Sequence, residues 1–385
     1  MVFFKSDNII SSLGFGTTET FAAMLDGETG IKPIYNKDYY PEIFQASMIG
    51  EIELERKFDF VISRFKKVGK YTKLEKMLIV SVDDALAKTD IDITSVRTGI
   101  ILSTTKGNIN LLEKNNSNSF SSERVLLWKL GNIIQEFFSN PNITIVVSNA
   151  CISGVLAINT AAMYINSGMF DNVVVTGGDI VSKFVVSGFM SFLSLSPNAC
   201  KPFDKNRDGL SLGEAAGTII LGSKSDKEQN IIFRGGATAN DANHISGPSR
   251  TAEGSYIAIK KSLKEAGIHS NEINHISAHG TATPYNDEME SLALNRHDLL
   301  KVSVNSIKGY LGHTLGAAGI IETAILLEEM RTNTILKTAG YEQLGVSQPI
   351  NIVSETTKKE LVTCLKMASG FGGSNAAMLI SKYDN

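Results

Sequence analysis

Cysteine and proline are scarce in this 385-residue chain, at 3 and 8 residues, tryptophan occurs once, and neither sign of charge dominates. Three cysteines, Cys151, Cys200 and Cys364, are an odd count with no CxxC pair, which excludes a disulfide framework and a thiolate zinc site. A balance of 37 basic against 40 acidic residues, net −3, gives no overall drive toward nucleic acid or an anionic membrane. Long apolar runs are missing too. Residues 137–170 carry no charge, but Ser148, Asn149, Asn159, Thr160 and Asn166 interrupt them, short of the ~18 continuous apolar residues of a membrane helix. Residues 1–14 do not have the pattern of a secretion signal, so the chain is read as cytoplasmic.

What is present is a soluble globular composition, 43% hydrophobic and 20% charged, with 33 glycines, slightly above the ~7% average. Short β-branched runs at 97–102, 143–147, 172–176 and 217–221 read as strands, alternating with helical patterns at 74–88 and 153–165. This predicts an α/β fold with sheets covered on both faces. Segments 143–165 and 300–327 both run strand, polar loop, small-residue helix, which suggests internal duplication. The division falls near Gly236, giving halves 1–236 and 237–385, while 115–122 reads as a short polar loop.

Cys151 follows the strand 143–147 and opens an uncharged helix, where free N–H groups and the helix dipole favour a thiolate. His279 ends an alternating run, 274–279, just before Gly280-Thr281-Ala282-Thr283-Pro284, a position suited to a catalytic group. His313 lies in a Gly-rich segment, 312–319, that opens another small-residue helix, whose dipole would keep the imidazole neutral. Lys308 precedes it by five residues, and 368–375 is a Gly-rich turn between strands at 361–367 and 376–381. Singly, each of these has an ordinary structural explanation: a buried cysteine, a satisfied core histidine, a solvated lysine, a tight loop.

In this order the segments 149–154 (NACISG), 174–178 (VVTGG), 201–209 (KPFDKNRDG), 279–284 (HGTATP) with Asp287, 308–319 and 370–375 (GFGGSN) resemble the elongating β-ketoacyl-[acyl carrier protein] synthases, over nearly the whole chain. The resemblance implies a thiolase fold, two duplicated βαβαβαββ-type halves packed as a five-layer αβαβα sandwich. It implies an acyltransferase that performs decarboxylative Claisen condensation of an acyl thioester, held on Cys151, with malonyl-carrier protein, in fatty acid or related polyketide or aryl polyene synthesis. By the same resemblance His279 and His313 assist decarboxylation and Lys308 orients them, with Asp287 and Glu322 as their outer partners. The N–H groups of Cys151 and Phe371 form the oxyanion hole, and the Phe371 ring, flanked by Gly370 and Gly372, acts as a gate. Thr281 and Thr283 match positions that bind the pantetheine arm.

No redox cofactor or catalytic metal is expected, although relatives hold a structural monovalent cation near the residue matching Glu322. The expected partners are an acyl carrier protein and a second subunit, a homodimer with a heterodimer left open. Arg64, Lys66 and Lys67 are the candidate docking patch for the acidic carrier protein. Lys106 stands in a loop that lines the far end of the acyl pocket in the family, where a short, polar or aromatic polyene substrate would suit it better than a long apolar chain. A thiolase would need a second catalytic cysteine, which Cys364 does not match, and an initiating synthase would have asparagine in place of His313. The alternative is a non-catalytic chain-length-determining partner subunit, which would have lost the nucleophile.

Overall fold

In the computed structural model, residues 1–37, 39–113, 120–225, 230–241, 243 and 247–383 are described; most of the polar loop at 115–122 lies outside them. An eleven-stranded sheet runs from one edge as Asn351–Ile352, Ser303–Asn305, His275–Ser277, Thr363–Gly370, Ser374–Lys382, Ile231–Asn240, Val2–Ile10, Ala215–Gly222, Asn172–Asp179, Thr98–Ser103 and Ile145–Val147.

This sheet is two copies of one pattern. Numbering strands by their order within each half gives 3-2-4-5-1 in both, with strands 3, 2 and 4 parallel and strand 5 antiparallel to strands 4 and 1. The short strand Asn351–Ile352 is added outside the second copy. Among the described residues, the strands of the two copies pair with each other only where Val2 and Phe3 meet Phe233 and Ile232. Gly236 lies within Ile231–Asn240, the first strand of the second copy.

The strand runs are apolar because both faces are covered: Asn172–Asp179 and Ala215–Gly222 are buried almost throughout. The helices Ser153–Asn166 and Ala318–Thr332 lie between the two copies, and they touch each other and strands of both. Ala318–Thr332 is buried on nearly every side, and Ser153–Asn166 buries eight of its fourteen residues, which accounts for the small apolar residues along both. Outside them, the helix Lys73–Leu86 covers the first sheet and the helix Glu253–Ala266 the second. The first of these starts at a capping box, Thr72 with Glu75. The result is five layers, αβαβα, the thiolase fold.

Sequence periodicity missed the small sheet of Ile31–Ile34, Phe44–Ser47 and Leu212–Gly213. Its strands are two to four residues long, too short for an alternating pattern. Among the described residues no helix is long and apolar enough to cross a membrane.

Candidate active site

The segments that follow the C-terminal ends of strands 2, 3 and 4 of the second half and strands 3 and 4 of the first converge on one cavity of about 430 Å³, lined by Cys151, Phe189, His279, Thr281, Thr283, His313, Gly370 and Phe371 among others. Parallel strands bring successive chain segments to the same end of a sheet, so residues more than 200 positions apart become neighbours.

Cys151 stands on a sharp turn after Ile145–Val147. Ala150 adopts φ 44°, a left-handed conformation costly for a residue with a Cβ. The Ser153 hydroxyl holds the turn, donating to the Ala150 carbonyl at 2.6 Å and accepting from the Asn149 N–H at 2.8 Å. The helix begins at Ser153, so Cys151 precedes it and does not open it. It stands one residue before the N-cap, Ile152, and burial pushes the thiol up to about 11, against the pull of Lys106, Lys308 and the Phe371 N–H. Desolvation outweighs the nearby positive groups, and the resting group is a thiol.

The Gly370-Phe371 turn leans on this nucleophile. A Cβ on Gly370 would come within 3.0 Å of the Cys151 nitrogen and 3.1 Å of the Ala150 Cβ. Glycine therefore lets the Phe371 N–H reach the Cys151 sulfur. The Phe371 ring packs on Phe189 and Phe192 at centroid distances of 5.6 and 5.0 Å. Gly372 beyond it is exposed, and its left-handed φ of 82° leaves the turn no room for another residue type without strain.

The two histidine rings meet edge to face, 5.2 Å between centroids, and ligand atoms of Cys151, His279 and His313 all lie within 4.8 Å of one another. Both tautomers are fixed from outside. The Lys308 ammonium contacts His279 Nδ1 at 3.2 Å and donates to the His279 carbonyl at 2.6 Å. The Leu315 N–H donates to His313 Nδ1 at 3.2 Å. With both Nδ1 atoms accepting, both Nε2–H groups remain as donors. Burial holds His279 well below its usual value, with Lys308, His313 and Lys366 adding to the effect; burial, Lys308 and Lys106 do the same for His313. Three ammonium groups around the trio disfavour a divalent cation, so the trio reads as a reacting group.

His313 departs from expectation in its place. The helix starts at Ala318, and Gly312 at φ 69° and Leu315 at φ 55° break the chain between. Burial and the neighbouring cations keep His313 neutral, and the Leu315 N–H that meets its Nδ1 opens the 3₁₀ turn Leu315–Ala317, which runs directly into that helix.

Lys308 also pairs with the buried Glu322, whose other oxygen takes the Lys366 ammonium at 2.6 Å. Lys366, fully buried, further donates to the carbonyls of Met367, Ser277 and Ala278 at 2.8, 3.3 and 3.4 Å. The oxygens of Glu322, Met367, Ser277 and Ala278 thus surround a side-chain ammonium. Asp287 does not reach Lys308. It accepts from the N–H groups of Phe203 at 2.7 Å and Thr281 at 3.0 Å, fastening the 279–283 loop to the 201–209 loop. The hydroxyls of Thr281 and Thr283 bond each other at 2.8 Å on the cavity wall.

Sequence reasoning missed Glu290, Asp179 and Lys366. Glu290 accepts from the N–H groups of His279 at 2.7 Å and Gly280 at 2.6 Å, and burial with the nearby Asp287 charge pushes it up to about 7. The three-residue spacing from Asp287 on the helix Pro284–Asn295 was the available signal, since it puts both carboxylates on one face.

Other expected residues lie apart. Lys106 does not line the cavity. Arg64 pairs with Asp83, and Lys67 donates to the Glu136 carbonyl at 3.1 Å. Glu136 and Ser139 lead into the N-terminal end of Ile145–Val147, whereas Cys151 follows the C-terminal end, so Arg64 and Lys67 stand at the opposite end of the sheet from the cavity. Lys66 is exposed at the end of the helix Glu51–Phe65.

Comparison with known proteins agrees with this architecture. Residues 8–227 match the β-ketoacyl synthase N-terminal domain and 231–342 its C-terminal domain. The 3-oxoacyl-[acyl-carrier-protein] synthase 2 of Coxiella burnetii is 28% identical over 97% of this chain and 96% of its own. The tetracenomycin polyketide synthase ketoacyl synthase alpha subunit of Streptomyces glaucescens is 27% identical over 96% and 94%. Among solved structures, a β-ketoacyl synthase from Burkholderia phymatum superimposes with a TM-score of 0.89 at 22% identity, covering 100% of this chain and 99% of that one. A chain of the complex between the ketosynthase ApeO and its chain length factor ApeC from Xenorhabdus doucetiae gives 0.87 at 22% identity over 99% and 98%. With matched domains over most of its length and a cysteine and two histidines gathered where the two halves meet, this chain belongs to the β-ketoacyl synthase family.

Proposed function

We propose that the protein is an active condensing enzyme that joins an acyl thioester to a malonyl thioester carried on acyl carrier protein. The convergence of Cys151, His279 and His313 within 4.8 Å at the cavity floor carries this reading. Cys151 loses its proton and its sulfur attacks the acyl thioester, and the tetrahedral oxyanion is held by the N–H groups of Cys151 and Phe371. Collapse expels the carrier thiol, which takes the proton, and leaves acyl-Cys151. Malonyl thioester then enters, with its carbonyl oxygen facing the two Nε2–H donors. Loss of CO₂ places the electron pair on an enolate, whose charge those preorganised donors stabilise. The enolate carbon attacks the acyl-Cys151 carbonyl, and a carbon–carbon bond forms as the C–S bond breaks. The released thiolate takes a proton from solvent, replacing the one that left with the carrier thiol. Neutral imidazoles suit this work because they donate without having to titrate.

The chain-length-factor reading is disfavoured by the assembled nucleophile and histidine pair. Mass spectrometry of Cys151 after incubation with a panel of acyl-carrier thioesters is the direct test. The Cys151→Ala variant is expected to lose condensation by on the order of 10³-fold or more while still releasing CO₂ from malonyl-carrier protein. No acyl-enzyme and no CO₂ release from the wild-type chain would favour the partner role.

The strand Ile145–Val147 is an open sheet edge with half-buried residues, and Ser148 and Asn149 beside it are exposed. We propose that a second subunit pairs there, in the first instance another copy of this chain. The docking of the carrier protein belongs at the cavity mouth, where Leu193 and Tyr285 are exposed.

A further inference from the structure

The two histidines have their Nδ1 atoms held by unlike donors. At His313 the donor is the Leu315 N–H, a backbone group fixed by its turn, and the buried Asp179 carboxylate fastens the next residue by accepting from the Gly316 N–H at 2.8 Å. At His279 the donor is the Lys308 ammonium, the tip of a flexible stem, which keeps one position only if its surroundings impose it.

A buried row of charges imposes it. Lys308 donates to the His279 carbonyl at 2.6 Å, to His279 Nδ1 at 3.2 Å and to Glu322 Oε1. Glu322 projects from the inner helix Ala318–Thr332, and its Oε2 stands 2.6 Å from the Lys366 ammonium. That contact is one of charge, for Oε2 accepts no aligned hydrogen bond among the described residues. Lys366 in turn donates to the carbonyls of Met367, Ser277 and Ala278, the last being the residue before His279. It therefore touches both the carboxylate on which Lys308 leans and the strand end that carries the imidazole.

Packing does not ask for a lysine here. The strand Thr363–Gly370 alternates, and Cys364 and Ala368, on the same face as Lys366, lie in the apolar core between the two copies. A fully buried ammonium among them has lost its hydration, and a buried ion cluster is often no more stable than apolar side chains of the same volume. Stability alone therefore does not explain it. With a single cation, Glu322 would draw the Lys308 ammonium toward both its oxygens and away from the imidazole. A second ammonium divides the carboxylate, one oxygen to each lysine, and leaves Lys308 an N–H for His279.

We propose that Lys366 is a positioning residue for decarboxylation: by taking one oxygen of Glu322 it keeps the Lys308 ammonium on His279 Nδ1, and so keeps the Nε2–H of His279 aimed at the malonyl carbonyl. The proposal rests on the condensing reading and deepens it. Acyl transfer to Cys151 relies on the N–H groups of Cys151 and Phe371, which take no part in this row, so the two half-reactions separate.

The test is Lys366→Met, which keeps most of the volume and removes the charge. Malonyl-carrier decarboxylation is expected to lose kcat by on the order of 10²-fold with KM within about twofold, while acylation of Cys151 by an acyl-carrier thioester stays within about threefold of wild type. A lysine that only supports the fold would lower both reactions together. Circular dichroism and thermal melting show whether the variant is folded; if it is not, Lys366→Met combined with Glu322→Gln, which removes both charges of the pair, is expected to give the same split. Nitrogen NMR of the histidine rings reads the position without substrate. The His279 signals, identified by their loss in His279→Asn, are expected in the Nε2–H form alone in wild type and as a mixture of tautomers once Lys366 is replaced. Equal loss of both reactions, wild-type decarboxylation by a folded variant, or a variant His279 still in the Nε2–H form alone overturns the proposal. Absence of decarboxylation by the wild-type protein would instead overturn the condensing reading, and the ring spectra then decide on Lys366 independently.

Discussion

At the scale of single residues, the site works by burying groups that would otherwise be charged. Both histidines are held well below 6.5, so their Nε2–H donors persist in the same form across the neutral range. Malonyl decarboxylation is expected to stay flat from about pH 8 down to about pH 6; a fall centred at 6.5 would show that these imidazoles titrate as free ones. The linkage has a definite sign. Below about 6.5 the unfolded chain binds protons that buried His279 and His313 do not, so stability is expected to drop as pH falls through that range. Lys366 is the opposite case, a charge kept buried by four oxygens. Lys366→Ala leaves Glu322 with one partner and is expected to cost about 3–5 kcal/mol in urea unfolding. Ammonium or potassium salts should return part of that loss, because a small cation can enter the emptied cage. Equal stability in tetramethylammonium would refute a specific cation place. Cys151, His279 and His313 were legible because each sits in a distinctive motif. Lys366 and Glu290 were not, because their partners come from other segments and a lysine within an apolar strand announces nothing of its purpose.

At the scale of elements, small residues set the distance between the two inner helices. A Cβ on Gly154 would lie 2.7 Å from the Ile320 nitrogen and 2.9 Å from the Gly319 Cα, and one on Gly319 would lie 2.4 Å from the Val155 nitrogen. These are backbone atoms of buried helices and cannot turn aside as a side chain would. Gly154→Ala and Gly319→Ala are each expected to destabilise by about 1–3 kcal/mol or more. They should also lower acylation of Cys151, three residues before Gly154, beyond what lost stability explains. A Gly154→Ala protein with unchanged melting temperature would mean the helices can separate freely. The small-residue character of both helices was visible in the sequence, and so was their likeness to each other. Their starting points were not: Cys151 stands two residues before Ser153 and His313 five before Ala318, and the left-handed Ala150 and Leu315 that shape these turns leave no mark in a glycine-rich or apolar composition.

At the scale of the whole molecule, duplication explains why the chemistry needs both halves. The nucleophile comes from one copy and the histidine pair, Lys308 and Phe371 from the other, joined by a sheet seam only two residue pairs wide. The repeated strand order could be inferred from two matching segments, but the seam could not, since pairing between Val2 and Phe233 leaves no mark in local pattern. The same sheet also predicts how the molecule meets a second one. Its edge at Ile145–Val147 leaves backbone groups unpaired, Ile143 is 80% exposed, and the nucleophile lies four residues beyond the strand. Open apolar edges are pairing surfaces unless charge guards them, and residues 137–170 bring no charge. A two-fold join repeats each residue on both sides, so a carboxylate added here confronts its own copy. Ile143→Asp combined with Ser148→Asp is therefore expected to convert a dimeric wild type to monomer in sedimentation velocity at micromolar concentration. Because the join would brace the turn that holds Cys151, its acylation should slow in the monomer, while the histidine pair, built on the other half, keeps its geometry. A wild-type protein that sediments as a monomer, or a double variant that remains a dimer, would show that this edge is not where subunits meet.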